Sequence, residues 1–182
     1  MTTRDTDVPY TIALIGKSGS GKTTLALKLI AELVDRGLRV GSIKHHSRKD
    51  FEIDREGKDS WRMHEAGSSH VVIAAPSKVA HIRDIERELE FPEIAASMTD
   101  VDVVVAEGYR YAGAPALALF RADNPRTAGT MPDLSSEDIV AVVTDDDRTT
   151  AAARRRGLPV FGLDDAGPLC DFIMTAQSQR GL

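Results

Sequence analysis

Residues 16–24 constrain the fold of this chain more than any other stretch, because they are all glycines, lysines and hydroxyl residues with no apolar side chain to pack. From Gly16 to Thr23 they satisfy G-x-x-x-x-G-K-[S/T], the P-loop pattern. Glycines there let successive backbone N–H groups turn inward toward an anion. We therefore predict that a nucleoside triphosphate contacts Gly16, Lys17, Ser18, Gly19, Ser20, Gly21, Lys22, Thr23 and Thr24.

Two side chains of this loop have predicted chemical roles. Lys22 reaches the β- and γ-phosphates, and the Thr23 hydroxyl binds Mg²⁺. The flanking residues support this reading over a flexible glycine turn. An apolar run at 10–16 predicts a buried strand, and leucines at helical spacing in 23–37 predict a helix that ends near Gly37. The positive N-terminal end of that helix favours phosphate.

Apolar runs alternate with helical stretches along the rest of the chain, which predicts an α/β fold. We expect the P-loop nucleoside triphosphate hydrolase fold, a mostly parallel sheet flanked by helices. Two β-rich runs around Pro76 and Ser77 predict a projecting β-hairpin over 70–84. Further strands are predicted at 38–45, 101–110, 115–122, 139–145 and 158–163. Further helices are predicted at 59–67, with Asp59 or Ser60 as its cap, at 85–99, with a break before Pro92, and at 147–157 and 167–178. The predicted organisation is a flexible N-terminal tail over 1–9 and a single domain over 10–182.

Composition excludes several classes of partner. The net charge of −5 argues against a general affinity for nucleic acid or an anionic membrane surface. No apolar run approaches the ~20 residues that span a bilayer, and the polar amino end is unlike a signal peptide. Cys170 is the single cysteine, so an internal disulfide is excluded. We expect a soluble cytoplasmic protein without nucleic-acid or membrane partners.

A P-loop works with a carboxylate at the end of another buried strand, which holds the Mg²⁺ shell or orients water. The run VVVAEG supplies Glu107 at such a strand end, where aspartate is the usual residue. We predict Glu107 as a metal-binding and catalytic residue beside Lys22, the alternative being an ordinary acid at a strand end. Asp102 begins the same strand, so it is expected at the opposite edge of the sheet in a structural role.

The charged segment after the second predicted strand is expected to lie over the P-loop, where the switch segments of GTPases lie. Asp54 follows the alternating run FEID and is the predicted further ligand of Mg²⁺. The alternative is a solvated charged loop without a functional role, which we prefer for His46. The expected nucleotide contacts of this segment are Lys44, His45, Lys58, Asp59 and Ser60.

The order of these motifs resembles one family. The P-loop, then IKHH, then FEIDREGKDSWRMHEAG, then a strand that ends in EGYR, is similar to molybdopterin-guanine dinucleotide biosynthesis protein B (MobB). The resemblance covers about residues 10–110 in order, and the later runs IVAVVTD and LPVFGLDD fit the family's ending. One departure is the stretch HSRKD, where family members often carry further histidines after K-H.

The resemblance implies a GTP-binding accessory protein with weak Mg²⁺-dependent GTPase activity in molybdenum cofactor biosynthesis. Its cofactors would be GTP and Mg²⁺, with molybdopterin as a transient ligand. It would work as a homodimer and assist a MobA-like guanylyltransferase that joins GMP to molybdopterin. The hairpin at 70–84 is the predicted dimer element, because an isolated two-stranded ribbon is marginally stable. Lys17 occupies the place of an extra lysine that, in one dimerising class of P-loop proteins, reaches the partner's nucleotide. A solvated loop lysine is the alternative.

Recognition of guanine needs an acceptor for its N–H groups, and no N-K-x-D motif is present. Asp145, in the run VVTDDD, is the candidate, the alternative being an acidic turn that caps the next helix. The choice of GTP over ATP therefore rests on the resemblance.

Two other functions fit a P-loop. A small-molecule kinase would need an arginine-rich lid, and the one arginine cluster, 154–156, is predicted on a late helix. A GTPase metallochaperone would need a Cys/His site, and Cys170 has no second cysteine.

Overall fold

The computed structural model of the chain describes residues 9–46, 51–109 and 113–180. The predicted tail therefore lies, except for residue 9, outside the described residues. The elements in chain order are β1 (Tyr10–Ile15), α1 (Lys22–Asp35), β2 (Val40–Lys44), α2 (Asp59–Glu65), β3 (His70–Ala75), β4 (Lys78–Arg83), α3 (Phe91–Ala96), β5 (Val103–Glu107), β6 (Ala116–Phe120), β7 (Ile139–Thr144), α4 (Asp147–Arg155), β8 (Val160–Phe161) and α5 (Ala166–Arg180).

The described residues form two compact units. The first, called here the nucleotide unit, comprises residues 9–45 and 90–180, and the second, the hairpin unit, comprises 46–89. The single domain over 10–182 stays a prediction, since it concerns how the two units behave in solution.

A six-stranded parallel sheet organises the nucleotide unit, with strand order β2-β5-β1-β6-β7-β8. The order of the strands differs from their order in the chain: α1 connects β1 to β2 and α4 connects β7 to β8, whereas a loop without a helix connects β6 to β7. This confirms the predicted α/β fold with a mostly parallel sheet. The carboxyl ends of β1, β2 and β5 meet at one edge, which is where such sheets bind ligands.

Alternate residues of the central strands enter different cores on the two faces of the sheet. On one face Val103 and Val105 pack with α1 and α5, whose Leu29 and Ile173 are fully buried. On the other face Val104 packs with α3. Burial on both faces explains why β5 is a continuous run of valine and alanine instead of an alternating strand.

The hairpin unit contains α2 and the antiparallel pair β3–β4, with His70 opposite Arg83 and Ala75 opposite Lys78. The predicted hairpin is thus confirmed. Its two strands form a separate sheet.

Three element predictions were wrong in detail. The break expected before Pro92 is where α3 begins, because proline fits the first turn of a helix but not its interior, but residues 85–90 are not helical, contrary to the prediction. Glu90 and Glu93 form a capping box at the start of α3. The strand predicted at 158–163 has only two residues, Val160 and Phe161. Asp59 and Ser60 do not cap α2: the cap position is Lys58, with no capping side chain.

A search for membrane spans over the described helices found none with the length and apolar character that crossing a bilayer requires.

Candidate functional site

The loop after β1 has the backbone of a phosphate cradle. Gly19 and Gly21 have φ angles of 85° and 92°, in the left-handed region that disfavours side chains. A Cβ on Gly16 would lie 2.5 Å from the Leu119 carbonyl oxygen, so the chain can pass β6 only with glycine there. Ser20 N donates to Lys17 O at 3.1 Å and closes the loop. The pattern of glycines in the sequence thus has a direct conformational cause.

Helix α1 starts at Lys22, immediately after the loop, and Gly21 occupies its cap position without any capping side chain. Its first turn carries no acidic residue. The unpaired N–H groups and the positive end of the helix dipole are therefore available to an external anion.

The Lys22 ammonium spans the mouth of the loop. Its Nζ donates to Gly16 O at 2.9 Å and to Lys17 O at 3.0 Å. Burial lowers the pKa of Lys22 below its ordinary value, with Glu107 acting in the opposite direction and Lys44 in the same direction. A partly buried cation that donates to neutral carbonyls gains strongly from a phosphate oxygen.

Glu107 lies beside the loop, as the strand-end prediction required. The Thr23 hydroxyl donates to its carboxylate, at 2.8 Å from Oε2, and Lys44 Nζ lies 2.7 Å from Oε1. The sheet explains the meeting, because the register pairs Glu107, the last residue of β5, with Lys44, the last residue of β2. The structure thus brings together three residues far apart in the sequence.

Burial alone would raise the pKa of Glu107, but hydrogen bonds from Lys44 and Thr23 outweigh it, so the pKa lies below its ordinary value. Glu107 is therefore a carboxylate at neutral pH. An ionised carboxylate and a threonine hydroxyl are the oxygen ligands that Mg²⁺ prefers, so Thr23 and Glu107 fit that ion. Within the described ranges no three Cys, His, Asp or Glu side chains cluster as a metal site, so phosphate oxygens would have to complete the shell.

Asn124 is a site residue that the sequence reading missed. Its side chain is buried in the loop after β6, and Nδ2 donates to Ser18 O at 3.1 Å. Gly19 packs against the same amide, since a Cβ there would lie 3.0 Å from Asn124 Oδ1. Only the strand order, which places β6 next to β1, could have pointed to this residue.

Asp145 has a structural partner: its Oδ1 accepts a hydrogen bond from Ala122 N at 2.7 Å. The helix cap is its neighbour Asp146, whose Oδ2 accepts from Thr149 N at 2.6 Å. The acidic turn therefore does cap α4, as the alternative held, and a role of Asp145 toward guanine stays a prediction.

His45, which directly follows β2, packs against the residues that follow β5. Its ring contacts that of Tyr109 with centroids 4.9 Å apart, and its Cβ lies against Gly108. Lys17 has an exposed side chain, and its predicted contact with a partner's nucleotide stays a prediction.

Four predicted site residues, Asp54, Lys58, Asp59 and Ser60, belong to the hairpin unit. The Oδ2 atom of Asp54 is buried and has no hydrogen-bond partner among the described residues. Buried polar atoms usually have a partner, so this atom is compatible with a role as a metal ligand. Lys58 and Asp59 are exposed. Their contacts with nucleotide stay predictions.

Cys170 is fully buried in α5, and burial raises the pKa of its thiol to about 11. It packs in the core as a neutral thiol. Arg154 and Arg155 lie exposed on α4, as predicted.

Comparison with known proteins connects this geometry to one group. The model of the family "Molybdopterin guanine dinucleotide synthesis protein B" (MobB) matches residues 11–145. A molybdopterin-guanine dinucleotide biosynthesis adapter protein of Haemophilus influenzae is 42% identical over 112 residues, which cover 60% of this chain and only 62% of that protein. Its namesake in Escherichia coli is 30% identical over 175 residues, 93% of this chain and 95% of that one.

Solved structures agree. The crystal structure of molybdopterin-guanine biosynthesis protein B (mobB) has a TM-score of 0.63 at 28% identity and covers 91% of this chain and 99% of its own. Bacillus subtilis MobB has a TM-score of 0.68 and covers 92% and 97%, but at 20% identity it supports the fold alone.

Proposed function

The chain belongs to the molybdopterin guanine dinucleotide synthesis protein B family and acts in molybdenum cofactor biosynthesis, and we propose that it does so by binding GTP with Mg²⁺. In this proposal it assists a partner guanylyltransferase that joins GMP to molybdopterin. The observation that carries the proposal is the cradle itself. Lys22 spans the glycine loop, and Thr23 meets the Glu107 carboxylate at the carboxyl ends of the strands.

The residues present fit a nucleoside triphosphate in a specific way. The loop N–H groups and the first turn of α1 bind phosphate oxygens, and Lys22 exchanges its carbonyl partners for them. Mg²⁺, when bound, neutralises charge on the phosphates, and Thr23 and Glu107 would hold it. Lys44 then orients the Glu107 carboxylate through their ion pair.

Hydrolysis should be slow, and the reason lies in Glu107. Its low pKa, caused by the bonds from Lys44 and Thr23 that outweigh burial, makes it a weak base toward water. A protein that holds GTP and hydrolyses it slowly suits an accessory role better than a rapid hydrolase does.

The nucleotide proposal is tested by equilibrium binding of GTP and ATP with Mg²⁺ to the full chain. We expect GTP to bind more tightly than ATP, and Lys22→Ala to weaken GTP at least about 100-fold, because it removes a charge-assisted contact to two phosphates. Lys28→Ala, which removes a lysine from the next turn of α1 that pairs with Asp164, is the matched control and should leave binding unchanged. Tight ATP binding without GTP binding would contradict the proposal.

The accessory role is tested by reconstituted guanylation of molybdopterin. A MobA-like guanylyltransferase is assayed with and without this chain, and then with the Lys22→Ala variant. We expect the wild-type chain to increase product formation and the variant to fail. An equal yield in all three reactions would contradict the accessory role even where GTP binds.

The proposal includes a homodimer formed through the hairpin. Strand register puts Val72, Ala74, Val79 and His81 on one face of the β3–β4 ribbon, and Val72 and Val79 are 50% and 56% exposed. A two-stranded ribbon with an exposed apolar face is stabilised by a partner, and a second copy of this chain supplies a matching face.

Sedimentation across a range of protein concentrations tests this dimer. The double variant Val72→Lys/Val79→Lys should sediment as a monomer, because opposed lysines repel across the contact. The control Lys78→Gln changes the same hairpin on its other face, where Lys78 pairs with Ala75, and should remain dimeric. An unchanged equilibrium in the lysine variant would exclude the hairpin as the dimer element.

A further inference from the structure

A cavity of about 510 Å³ opens beside the phosphate cradle, and the proposed function assigns no ligand to it. Its walls come from the carboxyl ends of β1 and β6, from the residues just after β5, and from the loop at 126–133. The volume lies within the range of small-molecule sites in proteins, roughly 300–1,000 Å³.

The cavity is distinct from the cradle but adjoins it. Gly16 and Lys17 line it, whereas Ser18 to Thr23, which include the cap and first turn of α1, do not. Gly108 and Tyr109 line its other side, directly after Glu107. A molecule in the cavity and a phosphate in the cradle would therefore lie on two sides of the same loop.

The walls favour a flat apolar ring. Its aromatic lining residues are Tyr109, which is half-buried, and Phe120, which is 7% exposed, and Met131 and Pro132 contribute adaptable apolar surface. Phe91 holds the Tyr109 ring from behind, with centroids 4.9 Å apart. A planar heterocycle fits such walls by stacking and burial.

The cavity has an excess of positive charge, because Lys17, Arg121 and Arg126 line it together with one carboxylate, Asp133. Arg121 and Arg126 line it, and within the described part of the chain neither guanidinium has an ion pair. Guanidinium groups match phosphate by paired hydrogen bonds, and they remain charged at every physiological pH. The cavity thus offers a ring site and a phosphate site together.

We propose that this cavity binds a heteroaromatic phosphate monoester, with the ring against Phe120 and Tyr109 and the phosphate on Arg121 and Arg126. The inference rests on the proposed function for the kind of ring, which is then a phosphorylated pterin. The chain would thereby hold the pterin partner of guanylation next to its GTP.

The two sites are connected by Asn124. Its Nδ2 donates to Ser18 O in the cradle, and its Oδ1 accepts from Arg126 N at the cavity, both at 3.1 Å. A phosphate that binds Arg126 and shifts it would therefore also shift Asn124 and, through it, the loop that holds the nucleotide. This chain of hydrogen bonds is a physical basis for coupling between the two ligands.

The test uses the full chain and neopterin monophosphate, a pterin with a phosphate monoester on its side chain, followed by pterin fluorescence. We expect saturable binding that Arg121→Gln/Arg126→Gln weakens at least about tenfold, because two charge-assisted contacts are lost. The matched control is Arg154→Gln/Arg155→Gln, which removes the same charge from exposed positions on α4 and should change the affinity less than about twofold. Circular dichroism confirms that all variants fold.

Three outcomes would overturn the proposal: no saturable binding, equal weakening in both double variants, or equal competition by inorganic phosphate alone. A fall in GTP affinity in the Arg121/Arg126 variant with unchanged pterin affinity would also overturn it, because the cavity would then belong to the nucleotide. Failure of the proposed function would give a different result from failure of this inference. GTP would not bind, or guanylation would not respond, while neopterin monophosphate still bound through the two arginines.

Discussion

Strands β5 and β3 are built from similar residues, yet the structure buries them to very different degrees. The three valines of β5 are at most 2% exposed, whereas Val72 and Ile73 of β3 are 50% and 43% exposed. Both runs indicate strands by composition alone. The difference is that helices cover both faces of β5, while β3 pairs only with β4 in its own sheet.

The comparison separates two uses of apolar residues. In the nucleotide unit they stabilise the frame that positions Lys22, Thr23 and Glu107. In the hairpin unit they leave apolar surface exposed, which contributes little to the fold of a single chain and is available to a partner. The two units should therefore respond differently to the same kind of substitution.

The largest expected difference concerns stability. Leu29→Ala removes a fully buried side chain between α1 and the sheet and should lower the free energy of unfolding by about 2–5 kcal/mol. Val79→Ala removes side-chain atoms that are about half exposed in the hairpin and should cost less than about 1 kcal/mol. Urea unfolding of both variants measures the contrast.

Repeating these experiments at several protein concentrations sharpens the comparison. If the hairpin face is covered by a second copy, the effect of Val79→Ala grows with protein concentration, while that of Leu29→Ala does not depend on it in the same way. Equal losses from the two variants at low concentration would contradict the distinction between the units.

A second, smaller effect is expected at Asn124. Asn124→Ala removes a partly buried hydrogen bond to the carbonyl of Ser18, which costs about 0.5–1.5 kcal/mol. Part of this cost should appear as weaker GTP binding, since the loop is no longer held. Asp123→Ala, at the exposed neighbouring residue, is the control in both calorimetric titration and urea unfolding. A variant with full stability and full GTP affinity would remove Asn124 from the site.

Glu107→Gln should affect turnover more than binding. The amide can still accept from Thr23 but lacks the charge that pairs with Lys44 and acts on water. We expect GTP affinity within a few-fold of wild type and hydrolysis reduced about tenfold. Single-turnover hydrolysis measures this, with Glu137→Gln as an exposed control. Equal turnover would make Glu107 a structural residue.

The sequence predicted the frame of the nucleotide unit well because local rules decide it. A glycine loop between a buried strand and an amphipathic helix has few conformations, and burial on both faces makes β5 a continuous apolar run. The meeting of Thr23 with Glu107 then follows from the rule that parallel strands present their carboxyl ends together.

What the sequence did not predict depends on strand order. Asn124 and Arg126 become neighbours of the cradle only because β6 lies next to β1, and no local pattern encodes that adjacency. Residues 85–90 were predicted to be helical because they include helix-forming residues, but the helix begins only at Phe91, at the break expected before Pro92 and with Glu90 as its cap.

The smallest expected effect is the pH response of the hairpin unit. His64 in α2 lies 3.0 Å from Asp84, which follows β4, and this hydrogen bond with its charge raises the pKa of His64 above the ordinary value. Because the folded pKa is raised, the stabilisation is fully present below the unfolded value near 6.5 and is lost as pH rises through the folded pKa. The contact thus favours this unit in mild acid.

Proton NMR titration of the His64 ring measures this response directly. Asp84→Asn should lower the pKa of His64, and Glu86→Gln, which removes a charge from the same exposed stretch without removing the bond, should leave it raised. The stability gain is expected to be slight, because both groups are solvent-exposed and screened. If the His64 titration were identical in Asp84→Asn and wild type, the link between α2 and the hairpin would have no electrostatic part, and the unit would depend on its strand pairing and its partner alone.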